Sequence, residues 1–532
     1  MITVSEVTKG FGGRTLFKDV GVAFSAGNNY GLTGPNGCGK STFMRLLLGV
    51  EDTDRGTVSL PRRVGWLRQD QSAFDDHRVV DVVIMGNGRL WETLSERAAL
   101  YDKGDDLTDD EGVRLAELEG VVAEEDGYEA ESSAAVLLEG LGVPNELHDK
   151  KMSEVSAGFK VRVLLAQALF GDPDALLLDE PTNGLDMDAI IWLEDFLVAY
   201  QGILIVISHD RRFLNAVCDH IADIDYETII VYTGNYDDMV RQKAQIRSRL
   251  EKESAAREKK ISQLQEFVAR FSAGTRSSQT RSRAKEIQRL RPDEMKRSNI
   301  ARPFIRFPVG EPSGRDVLHV DDLSHSYGDL HVFSGFHADV ERGDKVAILG
   351  RNGVGKTTLV KALLDQANQD SGKVRWGHNT SIGVFAHDHR DRIEPGRTVY
   401  SWLFERRPSV GEQHVRGILG RMLFSNKDGE KPTATLSGGE AARLVMCELI
   451  LMEHNVLVLD EPTDHLDLES CSALKEAIEA YEGTVFYVTH DRDLAEAANK
   501  IWTYPVEGEL VHYAGTLDEY LDWHAKHYRK SA

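Results

Sequence analysis

The chain has 532 residues, 41% hydrophobic and 28% charged, with a net charge of −23; that length predicts more than one domain, and the composition is that of a folded globular protein. No apolar run approaches a membrane span, since the longest, such as ILIVI at 203–207, are the size of a buried strand, and the N-terminal MITVSEVTKG has no basic stretch leading into an apolar one, so a cytoplasmic protein with no membrane segment or secretion signal is expected. Cys38, Cys218, Cys447 and Cys471 form no CxxC pair, which fits a reducing compartment and offers no zinc site.

In chain order, the first device is GPNGCGKS, made of Gly34, Pro35, Asn36, Gly37, Cys38, Gly39, Lys40 and Ser41. It follows an apolar strand (NNYGLTG) and opens an apolar helix that begins at Thr42. Glycines at this spacing let backbone N–H groups wrap a phosphate, and the helix points its N-terminus at the charge. Lys40 is expected on the β- and γ-phosphates and Ser41 on Mg²⁺. VSAGF at 155–159 precedes an apolar helix pattern, and LLLDE at 176–180 ends a buried strand in two carboxylates. Asp179 can hold the metal through water and Glu180 can orient the attacking water. ILIVISHD then places His209 at the end of another strand, within reach of a γ-phosphate.

Residues 241–300 carry 17 Lys/Arg against 7 Asp/Glu, a local +10 on a chain whose remainder holds −33. A polar helix pattern runs over 241–272, GTRSSQT breaks it, and RSRAKEIQRL resumes it. Two antiparallel helices would gather Arg270, Arg276, Arg281, Arg283 and Lys285 at one tip, where they can neutralise RNA phosphates. About 30 helical residues span roughly 45 Å, enough to project beyond the domains they join.

The devices then repeat. GRNGVGKT, formed by Gly350, Arg351, Asn352, Gly353, Val354, Gly355, Lys356 and Thr357, follows KVAILG and leads through Thr358 into TLVKALL; LSGGE at 436–440, LVLDE at 457–461 and TVFYVTHD supply Asp460, Glu461 and His490. From signature serine to strand-end aspartate the spacing is 23 in both copies, Ser156 to Asp179 and Ser437 to Asp460, and from glutamate to histidine it is 29 in both. Two homologous α/β domains with mainly parallel sheets follow. The stretch before the signature is 37 residues longer in copy one, which places an insertion at about 89–131. LWETLSERAALYDK and VRLAELEGVV around DLTDDEG predict a helical hairpin there. With 15 Asp/Glu and 4 Lys/Arg it suits a protein contact or a solvated spacer better than rRNA.

On these motifs the chain resembles the ATP-binding cassette superfamily, and the insertion with the basic linker makes it similar to its ABC-F branch, soluble twin-cassette ATPases that work on the ribosome. The resemblance implies two tandem ABC-type P-loop domains, at 1–240 with the arm at about 89–131 and at 316–525, joined by a helical-hairpin linker at 241–315. It implies two ATP molecules sandwiched head to tail within a monomer. Each would lie between one domain's phosphate loop and the other's signature, Ser156, Ala157 and Gly158 in copy one and Ser437, Gly438, Gly439 and Glu440 in copy two. Phe11 and Tyr327 match the position that stacks on adenine, and Gln69 the position that adds a ligand to Mg²⁺. The linker would approach rRNA and P-site tRNA. An ATPase pair serving a transporter or a DNA-maintenance complex is the alternative.

The copies are not equal. Copy one reads VSAGF, with Ala157 for a glycine and Phe159 for Glu440, and copy two has His387 where copy one has Gln69. In a head-to-tail sandwich both departures fall in the composite site built on Lys356. That site is expected to be slow, and the one built on Lys40 fast.

Overall fold

The computed structural model describes residues 1–11, 14–68, 70–271, 302–328, 330–351, 353–366, 370–464, 466–506 and 508–527. Two six-stranded sheets organise them, and they are copies of one topology. In the first, the spatial order is Val64–Trp66, Ala175–Asp179, Ile203–Ile207, Asn28–Thr33, His220–Asp225 and Thr228–Thr233; in the second it is Ile382–Phe385, Val456–Asp460, Thr484–Val488, Lys345–Leu349, Lys500–Val506 and Glu509–Ala514. Every pairing is parallel except the last of each sheet. A parallel sheet is covered on both faces, so its strands are apolar without alternation, as ILIVI and TVFYV are: all ten of those residues are buried.

A second sheet stands beside each parallel one. Ile2–Phe11 pairs antiparallel with Arg14–Phe24 and Arg55–Ser59, and Asp316–Tyr327 with Leu330–Glu341 and Ser371–Trp376. Its inner face closes over the helix that follows the phosphate loop: Phe17 and Phe24 meet Phe43 in copy one, and in copy two the Trp376 indole N–H donates to the carbonyl of Leu363 at that helix's end, while Phe336 meets Trp502 on strand Lys500–Val506. Helices Ala157–Leu169 and Gly438–Met452 cover the other face, each almost wholly buried beyond its first turn.

The insertion forms a hairpin of helices Gly88–Tyr101 and Asp109–Glu124, started by an Asn87 cap and a Thr108–Glu111 capping box. Much of its acid is answered inside it. Arg89 pairs with Glu124 and Glu125, Arg114 with Glu96, and the Tyr101 and Tyr128 hydroxyls both donate to Glu119.

The linker begins as helix Tyr236–Phe271. Its root is held by a charge pair: the half-buried Lys243 donates to Asp223, which is 1% exposed within strand His220–Asp225 and also accepts from Thr33, the residue before the phosphate loop. The same place in copy two is uncharged, with Thr503 and Tyr520 hydroxyls 2.8 Å apart. Arg270 stands on the helix, whereas Arg276, Arg281, Arg283 and Lys285 lie outside the described residues.

Candidate nucleotide site

Each phosphate loop turns into its helix through a glycine in the left-handed region, Gly39 at φ 106° and Gly355 at φ 111°, where a side chain would be strained. Lys40 and Lys356 fold back over their own loops, each donating to the first glycine's carbonyl, Gly34 or Gly350, at 2.8 Å. An ammonium bonded to its own loop's carbonyls marks the place where a phosphate oxygen would take it up.

The strand-end carboxylates sit beside the helix N-termini. Ser41 hydrogen-bonds Asp179, and the Thr357 hydroxyl donates to Asp460 Oδ2 at 3.0 Å. Burial raises both aspartates above the usual carboxylate range. Asp460 Oδ1 is buried with no hydrogen-bond partner among the described residues. A hydroxyl next to a buried, half-satisfied carboxylate fits a hydrated Mg²⁺, which takes few protein ligands and completes its shell with water and phosphate. Among the described residues no cluster of three or more His, Cys, Asp or Glu is disposed to hold a metal by itself. Ser41, Asp179, Thr357 and Asp460 would hold the ion, which neutralises charge on the transferring phosphoryl group. Gln69 and Asn352 lie outside the described residues.

Glu180 and Glu461 leave their strands with φ of 53° and 47°, in the left-handed region that an ordinary residue avoids at a cost of about 1 kcal/mol. The bend turns each carboxylate onto the switch histidine. Glu180 accepts from the His209 backbone N–H at 3.2 Å and stands 3.1 Å from its Nε2; Glu461 accepts from His490 N–H at 3.2 Å and stands 3.3 Å from its Nε2. Burial, with Asp179 adding to it, pushes Glu180 up to about 8, and burial pushes Glu461 to about 8 against the opposing pull of Lys356. A carboxyl titrating near neutral pH can exchange a proton with an adjacent water. In copy two Lys356 also donates to His490 Nε2 at 2.8 Å. That bond requires a neutral imidazole, and burial holds His490 well below its ordinary value while lowering Lys356 to about 8.

The two cassettes face each other across a cavity of about 1290 Å³. Asn36, Gly37, Glu180 and His209 of cassette one line it together with Ser437, Gly438, Gly439 and Glu440 of cassette two, so this loop and the opposite signature share one space. Gly353, Gly355, Lys356, Thr357, Thr358, His387, Asp460, Glu461 and His490 line it as well; Ser156, Ala157 and Gly158 do not. Direct contacts close the interface on both sides. Asp467 accepts from the Asn36 N–H at 3.4 Å, and Arg351 pairs with Asp188 at 3.8 Å. Phe11 and Tyr327 are 49% and 57% exposed, open rings on the outer sheets that leave a face for a base. Each is backed by a fixed group, the Lys9 ammonium 4.9 Å from the Phe11 centroid and the His325 ring 4.6 Å edge-on to Tyr327.

The signature carboxylate serves its own helix. Glu440 accepts from the Ser437 backbone N–H at 2.8 Å, its N–H donates to the Ser437 hydroxyl at 3.3 Å, and Lys431 donates to both its oxygens. Phe159 at the matching place packs on the apolar core, and the Arg162 guanidinium lies 5.5 Å over its ring. Arg162, 3% exposed, also donates to Leu141 and Gly184 carbonyls and pairs with Asp186 at 3.0 Å. The sequence reading passed over Arg162, although an arginine at the same offset in copy two, Arg443, was a signal that could have found it.

Comparison with known proteins agrees with this geometry. A family model described as ABC transporter matches residues 17–183 and again 333–464, and a second with the same description matches 222–307. The chain is 45% identical over 526 residues to the probable ATP-binding protein YbiT of Escherichia coli O157:H7, covering 98% of this chain and 99% of that one. It is 33% identical over 542 residues to ABC transporter F family member 5 of Arabidopsis thaliana, covering 98% and 77%. In fold it is similar to the archaeal ribosome recycling factor aABCE1, solved with ribosomal stalk protein aP1, at TM-score 0.62 and 17% identity over 98% of this chain and 92% of that one. Among the described residues no helix is long and apolar enough to cross a membrane.

Proposed function

Because the chain belongs to the ABC-F family of twin-cassette ATPases, we propose that it acts on the ribosome in the cytoplasm, closing on ATP and resetting by hydrolysis, to regulate translation. The observation that carries this reading is the charge distribution: +10 in residues 241–300, between two ATP-binding cassettes, on a chain of net −23. A basic segment on an otherwise acidic chain suits a polyanion held at one place rather than along the whole surface. The fold shared with a ribosome recycling factor supports the same target. In this reading Arg270, Arg276, Arg281, Arg283 and Lys285 meet rRNA and P-site tRNA, while Lys40, Lys356 and the two signatures clamp ATP. Ser41, Asp179, Gln69, Thr357 and Asp460 hold Mg²⁺, and Glu180 and Glu461, with His209 and His490, run the hydrolysis. ATP drives closure only to the extent that it binds the closed pair more tightly than the open one.

The test is sedimentation. A Glu180→Gln, Glu461→Gln chain keeps both phosphate loops and should pellet with ribosomes in ATP and stall translation. Changing Arg276, Arg281 and Arg283 to Glu in that background should weaken pelleting and flatten its salt dependence, since fewer phosphate contacts release fewer counterions. An ATP-loaded chain that stays in the supernatant at low salt refutes the ribosomal reading.

A further inference from the structure

The loops that carry the two switch histidines approach each other at the cassette interface. Each switch histidine is followed by an aspartate that caps a short helix: Asp210 accepts from the Phe213 N–H, and Asp491 from the N–H groups of Asp493 and Leu494. These helices, Arg211–Val217 and Arg492–Ala495, pack against one another across the interface. Arg492 is the residue that crosses. It is 7% exposed, and its guanidinium pairs with Glu194 of cassette one, itself 9% exposed on helix Met187–Ala199. Its charge also bears on Asp210, the neighbour of His209. The loop that carries His490 is thus tied through Arg492 to cassette one, whose own switch loop ends in Asp210.

The equivalent residue of cassette one does something else. Arg211 stays in its own half and bonds Asp237 at the root of the linker helix at 2.8 Å. The crossing contact from cassette one comes instead from Arg212, to Glu496 and, at 3.4 Å, Asp518, both of them more exposed than Glu194. Of the two bridges, the Arg492–Glu194 pair is the one shielded from water. Breaking such a pair by removing one partner leaves an uncompensated buried charge.

We propose that Arg492 is a positioning residue for ATP hydrolysis: anchored on Glu194 of cassette one, it fixes the His490 loop of cassette two and makes turnover at each catalytic glutamate depend on the state of the other. The proposal rests on the assignment of Glu180 and Glu461 to hydrolysis, so the Glu180→Gln, Glu461→Gln chain is assayed first. Residual hydrolysis there near the parent rate overturns that assignment, separately from the coupling.

The coupling itself is read from single-turnover hydrolysis. With Glu180→Gln or Glu461→Gln in place, the remaining rate reports the other site. In the parent background, blocking one site should slow the other by about tenfold, within the range found for residues sharing one charge network. Adding Arg492→Met should abolish that dependence, so that each remaining rate equals the matching phase with both sites intact, with ATP affinity little changed. Arg492→Lys, which keeps the cation, should preserve it. Glu194→Gln, which keeps the packing, should weaken it in the same direction and stands in if the Met variant does not fold. Dependence between sites that survives both Arg492→Met and Glu194→Gln, or Lys and Met variants impaired alike, leaves Arg492 a structural ion pair and overturns the proposal.

Discussion

The two cassettes put the same groups at the same offsets and secure them differently. In cassette two Glu440 closes the signature helix against Ser437 and Lys431, whereas in cassette one Phe159 rests on the core beneath Arg162. Arg162 holds Asp186 within its own half, while the matching aspartate, Asp467, reaches across to Asn36. Lys356 reaches its switch histidine at 2.8 Å. The glutamates, their left-handed bends and their histidine contacts are retained in both. The lesson is that drift in a signature loop can change what anchors the loop while leaving the strand-end glutamates and the histidines they meet in place.

The largest expected effect breaks the comparison outright. Removing both glutamates, as Glu180→Gln with Glu461→Gln, should lower steady-state ATPase by about 10²-fold or more, the usual weight of a general base. Taken singly, Glu180→Gln should cost most of the rate and Glu461→Gln less, because in the proposed head-to-tail pairing VSAGF and His387 both serve the site on Lys356. Equal single-turnover rates in the two single variants make the sites equivalent.

Stability against pH sharpens it next. Glu180 and Glu461 titrate near 8 in the fold, above the ordinary 4.5, so the folded state holds protons that the unfolded chain has shed. Stability from these groups is present below the unfolded value and is lost as pH rises to about 8. Lys356 runs the other way: lowered to about 8 from 10.5, it makes the fold more stable as pH climbs between those values. Nucleotide-free protein should therefore melt lower at pH 8 than at pH 5, and Glu180→Gln should flatten that profile. A profile unchanged by the substitution contradicts a buried, proton-bearing Glu180.

Arg162→Met and Arg443→Met compare the two signature helices directly. The first strips a buried Asp186 of its partner and should cost about 3 kcal/mol. The second removes an arginine whose Nε has no hydrogen-bond partner among the described residues, and should cost about 1 kcal/mol or less. Urea denaturation measures both, and similar losses erase the distinction. The smallest effect is expected from Phe159→Glu. It should restore a capping pair at the Ser156 end of the helix, worth about 1 kcal/mol at most, and leave hydrolysis at the Lys356 site within about twofold of the parent, well inside what one lost general base costs. A clear acceleration there would show that Phe159 itself slows the site.

Much of the fold was legible because phosphate chemistry constrains spacing. A loop must follow a strand and open a helix, and its carboxylates must end neighbouring strands, so GPNGCGKS and LLLDE by themselves imply the parallel sheet. The antiparallel sheet over Phe43 was not legible. Ile2–Phe11 alternates only in part and carries register shifts at Val7 and Lys9. The cap that Glu440 makes was not legible as such, because S-x-x-E ahead of an apolar run serves a signature and a helix cap alike and spacing cannot separate the two. Contacts such as Arg492 with Glu194, 298 residues apart, depend on how two domains dock, which no local pattern records.

The docking has a further consequence for how molecules of this protein treat one another. Counting from the aspartate that caps each helix, Lys475 occupies the place of Glu194; counting from the switch histidines, Asp493 occupies that of Arg212. Two second halves brought face to face would set Lys475 against Arg492 and Asp493 against Glu496, like charge against like at both contacts. Two first halves would leave Arg212 opposite Asn215, with its carboxylate gone. In a crowded solution of identical chains two second halves thus repel each other, two first halves lose an attraction, and only a first half with a second half satisfies both contacts. The halves of this old duplication have become lock and key, and they can no longer be exchanged.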